Sequence, residues 1–184
     1  MSGCFCLDFG IDIFKNSWYF VVSSTSSLFF LGDQKMARKT ALVKVSGDLC
    51  KRDEVIEWIR ILAAEYFVVI CVGGGTQINE AFEAAGIKVR KHGPLGRETE
   101  GFKERQLARD VLEENQEELQ DLLAARGITA TVVIPVLEIG SVLCHINGDI
   151  FILTGYLGFD KIYVLTCEDR VKGKKVEFKK YPKI

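Results

Sequence analysis

Two runs of apolar residues stand out in the hydropathy pattern. Ala41-Leu42-Val43-Lys44-Val45 ends in Ser46-Gly47, and Phe67-Val68-Val69-Ile70-Cys71-Val72 ends in Gly73-Gly74-Gly75. Continuous apolar runs of this length read as buried strands. Between them, Asp53 to Glu65 places Val55, Ile56, Ile59, Leu62 and Ala63 on one helical face, with Asp53 in an N-cap position. Strand, helix and strand with a glycine-rich exit is the βαβ layout of a parallel sheet, whose ligands sit at the carboxyl ends of the strands.

The pattern continues in the same alternating way. Thr76 to Ala85 reads as a short helix stopped by Gly86, and Ile87 to Arg90 as a short strand before the turn-rich stretch from His92 to Arg97. A long helix is expected from Thr99 to Arg126, its stripe made by Ala108, Leu112, Leu119, Leu122 and Leu123 and its end by Gly127. Thr129 to Ile134 reads as a buried strand, Val136 to Ile146 fits a hairpin among other readings, and Ile150 to Leu157 reads as a buried helix. Lys161 to Thr166 is the last strand. These elements predict a three-layer αβα sandwich with a mainly parallel sheet.

Composition narrows the classes. With 184 residues the chain is long enough for one domain with a substantial core. The 24 basic and 25 acidic residues nearly cancel, so nucleic acid and anionic membranes are not expected partners. The basic run from Lys172 to Lys180 reads as a solvated edge or turn. Six cysteines lack CxxC spacing and read as reduced structural thiols, and two histidines make a zinc site unlikely. Residues 1–35 differ from the rest: Asn16 to Gly32 is uncharged and 17 residues long, short of the ~20 needed to span a bilayer, and five are serine. They read as a disordered or non-native extension before a 36–184 domain. The expected location is the cytoplasm.

Chemistry concentrates where strands meet small residues. Burying an unpaired lysine in an apolar strand is costly, so Lys44 is expected to face an anion, although a strand-end lysine can also snorkel to solvent. Gly73, Gly74 and Gly75 remove every Cβ where the next helix offers free N–H groups, and Gly74 is the one expected to approach a ligand. Asp149 can cap the helix that follows it, organise a cation, or both. On residues alone Arg97 is a solvated loop residue, His145 a packed or hydrogen-bonded one, and the long helix carries no chemistry.

Taken in order, these segments resemble the amino acid kinase family, which includes acetylglutamate kinase and uridylate kinase. The resemblance spans Ala41 to Val171 and implies specific roles. Val43-Lys44-Val45-Ser46-Gly47 looks like the opening strand whose lysine contacts the transferred phosphate, and Gly73-Gly74-Gly75 with Ile78-Asn79 like the second glycine loop. Gly96-Arg97-Glu98-Thr99 is similar to the segment whose arginine holds a substrate carboxylate. Asn147-Gly148-Asp149 resembles the family's Asn-Ala-Asp, whose aspartate organises catalytic lysines. The implied activity is transfer of the ATP γ-phosphate, with Mg²⁺, to a small carboxylate or phosphate acceptor. Lys44 and Asp149 would be catalytic, Gly47 and Gly73–Gly75 phosphate-binding, and Arg97 and Asn147 substrate-binding, with no dedicated metal cage.

Departures from the family pattern point the other way. Cys167 stands where the family has aspartate, Arg170 where it has glycine, and His145 where acetylglutamate kinases commonly have asparagine. Only 13 residues follow Val171, so the nucleotide half, with its second lysine, is expected to be missing. A non-catalytic module binding a small anion or nucleotide is therefore the alternative, a truncated reading frame a third possibility, and a homo-oligomer is left open.

Overall fold

A computed structural model describes residues 38–90, 92–93 and 95–184. The reading of residues 1–35 lies outside them. Four strands form one parallel sheet: β1 (Lys39–Val45), β2 (Tyr66–Val72), β5 (Ala130–Val133) and β8 (Lys161–Leu165), in the order β5-β2-β1-β8. The central pair, β1 and β2, is covered on both faces, which is why β2 reads as a continuous apolar run and β1 as one interrupted by Lys44. Helices flank the sheet, and the architecture is an αβα sandwich.

Side chains alternate across a strand, so each residue of β1 belongs to one layer or the other. Ala41, Val43 and Val45 face α1 (Asp53–Glu65) and α3 (Phe102–Ala125), packing with Ile56, Ile59, Leu119 and Leu123. Each fully buried aliphatic side chain there contributes roughly 1.5–3 kcal/mol. Leu42 faces the opposite layer and packs with Ile152 of α4 (Gly148–Thr154), Ile162 and Phe178. Two residues on, Lys44 shares that opposite face and points toward the start of α4. The smaller layer therefore positions the site.

Between β2 and α3 run α2 (Gly75–Ala84) and a hairpin of β3 (His92–Gly93) and β4 (Gly96–Arg97). The segment from Ile87 to Arg90 is not a strand; Ile87 and Val89 pack instead against Ile78, Phe82 and Leu112. Val136 to His145 forms an antiparallel hairpin of β6 (Val136–Ile139) and β7 (Val142–His145). The basic run is helical in its first part, α5 (Glu168–Glu177) taking in Lys172 to Glu177 with no buried residue, and a turn only from Phe178 to Lys180. Asp53 does not cap α1, because Arg52 occupies the cap and Asp53 instead pairs with Arg126 at 2.5 Å.

Helix α3 carries more than packing. Gln116 donates to the Val132 carbonyl at 2.7 Å, while Gln120 accepts from the Val132 N–H at 3.0 Å and donates to Ala130 at 3.1 Å. These bonds occupy the outer edge of β5, a strand edge that would otherwise be open to another chain. No helix among the described residues is long and apolar enough to cross a membrane.

Candidate functional site

The carboxyl ends of β1 and β2 open into a cavity of about 250 Å³. Lys44, Gly47, Gly73, Gly74, Gly75, Arg97, Asn147 and Asp149 all line it, so the residues expected to be catalytic, phosphate-binding or substrate-binding lie around one cavity. Lys174, Arg170, His92, His145 and Thr166 join them.

Gly47 is required by a close approach. A Cβ there would lie 2.6 Å from Gln77 Oε1 and 2.7 Å from the Gly73 carbonyl oxygen, so the loops leaving β1 and β2 touch only because Gly47 has no side chain. The three consecutive glycines divide the work. Gly74 is buried beneath α3, where a Cβ would meet Asn115 Nδ2 at 2.8 Å and Leu112 Cδ2 at 3.0 Å. Its missing side chain thus makes room for α3, a packing reason for Gly74 beside its place on the cavity wall. Gly75, the first residue of α2, has open space around it, and no side chain caps the helix. The uncapped first turn leaves N–H groups free for an anion.

Asn115 is the polar member of an otherwise apolar stripe. It is 5% exposed, and its Nδ2 donates to the Gly73 carbonyl at 3.2 Å. The glycine loop is thus tethered from the long helix that was expected to carry no chemistry.

Asp149 is 4% exposed and sits between two lysines. Lys174 Nζ donates to its Oδ2 at 2.5 Å, and Lys44 Nζ lies 3.9 Å from its Oδ1. Asp149 is not the helix cap: Asn147 caps α4, its Oδ1 accepting the Asp149 N–H at 3.0 Å. Capping fixes the backbone that aims the carboxylate at β1. The two lysines respond in opposite directions. Burial pushes the Lys44 ammonium down, and Asp149 only partly offsets it against Lys174 and Arg170. Burial also acts to lower Lys174, but its hydrogen bonds to Asp149 and Glu177 outweigh that and raise it. Of the two lysines, Lys44 is the one short of a full counter-charge.

Arg170 reaches into the same end, its Nη2 3.1 Å from Asp48 Oδ2, 3.1 Å from Cys167 Sγ and 3.4 Å from Ser46 Oγ. At the other end Arg97 donates through Nη2 to the Gly75 carbonyl at 3.2 Å and lies 5.4 Å from the Phe82 ring centroid. Of the two readings for His145, packed or hydrogen-bonded, the structure has the first: both ring nitrogens are buried without a partner. Beside the cavity a groove of about 380 Å³ shares Thr166 and Lys174 with it and is floored by Ile162, Val164, Phe178 and Tyr181.

No family model and no curated protein matches this chain. The site's chemistry must be read from its own residues. Its charge and loops suit an anion of several oxygens. Cys71 and Cys50 stay outside that chemistry: burial pushes Cys71, the register partner of Lys44, up to about 12, and Cys50 donates its thiol proton to the Gly47 carbonyl at 3.0 Å.

Lys174, like Asn115, is a residue that sequence reasoning missed. It lies on α5, which buries no residue and so shows no apolar stripe. The one available signal was a lysine-rich segment following a strand whose end is part of the site.

Proposed function

We propose that this chain is a phosphotransferase of the amino acid kinase type, which moves the ATP γ-phosphoryl group to a small carboxylate or phosphate acceptor. The observation that supports it is the buried Asp149 carboxylate shared by Lys44 and Lys174 beside the glycine loop. An acceptor oxygen would bond to the γ-phosphorus as the bond to the β–γ bridging oxygen breaks, leaving ADP. Such transfer depends almost wholly on positioning and charge neutralisation. Lys44 and the N–H groups of the first turn of α2 would face the moving phosphoryl group, and Asp149 would hold the lysines at a fixed spacing. Arg97 would orient the acceptor, with Asn147 holding the adjoining backbone.

The donor's triphosphate fits the cationic end, and the neighbouring groove offers apolar surface for a base. Mg²⁺ does not fit as a protein-held ion. Asp149 is the single carboxylate lining the cavity and is engaged by Lys174, while Mg²⁺ seeks an octahedron of oxygens. No group of three ligating side chains occurs among the described residues. Any Mg²⁺ would arrive on the triphosphate.

A non-catalytic nucleotide-binding module is the second reading, favoured by Cys167 and Arg170 in place of the family's aspartate and glycine. Thermal unfolding with ATP, with and without candidate acceptors, tests the proposal. A ligand at 100 times its Kd adds about 2.7 kcal/mol of stability. ATP stabilisation together with acceptor-dependent ADP release supports the transferase; stabilisation without turnover leaves the binding module; no stabilisation by ATP overturns both.

A further inference from the structure

Two helices carry opposite charge on faces that the domain's own packing leaves uncovered. On α3 the buried stripe faces the core, and Glu114, Glu117 and Asp121 stand exposed away from it. On α5 Lys172 and Lys175 are exposed, as is Lys179 in the turn that ends the helix. No ion pair among the described residues engages any of these six; the pairs that α3 makes use Glu113 and Glu118, and the pairs that Lys174 makes use Asp149 and Glu177. Like charges one turn apart destabilise a helix, and each helix carries three in a row. α5 has a further deficit. It has ten residues and buries none of them, whereas helices shorter than about 12–15 residues are marginal in water without tertiary burial. Val176, between Lys175 and Lys179, is 77% exposed.

We infer that copies of this chain associate head to tail, the lysine face of α5 in one copy docking on the acidic face of α3 in the next. The spacing of the charges fits this partner. Glu114, Glu117 and Asp121 are three and then four residues apart, and so are Lys172, Lys175 and Lys179. At about 1.5 Å of rise per residue, parallel helices set each lysine opposite one acid, while antiparallel docking puts the middle pair about one residue out of step. A single exposed pair contributes little, but a row of complementary charges selects the partner and its register. The two faces cannot meet in a two-fold dimer. α3 covers the β5 edge from the face of Val43, whereas α5 follows β8 at the other edge and ends at Phe178, which packs with Leu42 on the opposite face. Each contact therefore leaves one stripe free on either copy, which builds a ring or an open chain. Docking also braces the site, because α5 brings Lys174 to Asp149 and Arg170 to Asp48.

Sedimentation velocity of the full chain tests this. In dilute buffer the average mass should rise with protein concentration; at about 1 M salt, where screening shortens charge interactions to roughly 3 Å, it should fall back toward one chain. The triple variant Lys172→Glu, Lys175→Glu, Lys179→Glu should self-associate at least roughly tenfold more weakly, and so should Glu114→Lys, Glu117→Lys, Asp121→Lys. An equimolar mixture of the two should regain the parent's association, because each reversed face then meets its complement. If a reversed variant melts well below the parent, glutamine at the same positions replaces it and should give the same weakening. A parent that stays a single chain in dilute buffer, association that ignores salt, or a lysine-face variant that associates like the parent overturns the inference. So does a mixture of two folded reversed variants that does not associate.

Discussion

Lys174 Nζ lies 2.5 Å from Asp149 Oδ2, across 25 residues of sequence and between two helices, α5 and α4. The contact joins the end of the described chain to the strand that opens the fold, because the same carboxylate lies 3.9 Å from Lys44 on β1. One buried anion thereby fixes two cations at the mouth of the glycine loops.

Removing that anion should be costly. Asp149→Asn leaves Lys44, 8% exposed, without a counter-charge in the core. Breaking a fully buried pair costs about 3–5 kcal/mol, and the 23% exposure of the Lys174 side chain moves the expectation toward the lower end. Urea unfolding should show a lower midpoint with an unchanged slope. An unchanged midpoint would mean that the carboxylate does not hold the lysines.

Asn115→Leu separates packing from tethering. The leucine keeps the apolar stripe of α3 but abandons the Gly73 carbonyl. Stability should fall by about 1 kcal/mol, while amide exchange across Gly73–Gly75 should quicken. Equal exchange in both proteins would reduce Asn115 to a filler of space.

Stability should also depend on pH through the two histidines. Burial first, then neighbouring arginines (Arg105 and Arg97 for His145, Arg97 for His92), lowers both below the ordinary 6.5. A base whose folded pKa is depressed binds fewer protons folded than unfolded within that interval. The unfolding free energy therefore rises with pH up to about 6.5 and levels off above it. His145→Ala should flatten the slope just below 6.5; a slope retained in full would place its origin elsewhere.

The major layer was legible because burial on both faces leaves an unambiguous trace. β1, β2, α1 and α3 appear within a few residues of their expected bounds, and the parallel sheet follows from them. The smaller layer was less so. α5 buries nothing, so its basic residues looked like a solvated edge or turn, and only tertiary contact gives Lys174 its partner. Asn115 was hidden for the opposite reason: one polar residue in a long apolar stripe does not disturb the period. Gly74 was marked for ligand approach, yet contact with Asn115 and Leu112 accounts for it as well, since sequence cannot tell a gap left for a ligand from one left for a helix.

The central claim is that Lys44 lacks a full counter-charge because an anionic phosphate supplies it. Calorimetric titration of ATP into the parent chain and Lys44→Ala tests it most directly. A lost charge-assisted hydrogen bond is worth about 1.5–3 kcal/mol, so the variant should bind ATP roughly ten- to over a hundredfold more weakly. Equal ATP affinity in the two proteins would contradict the account.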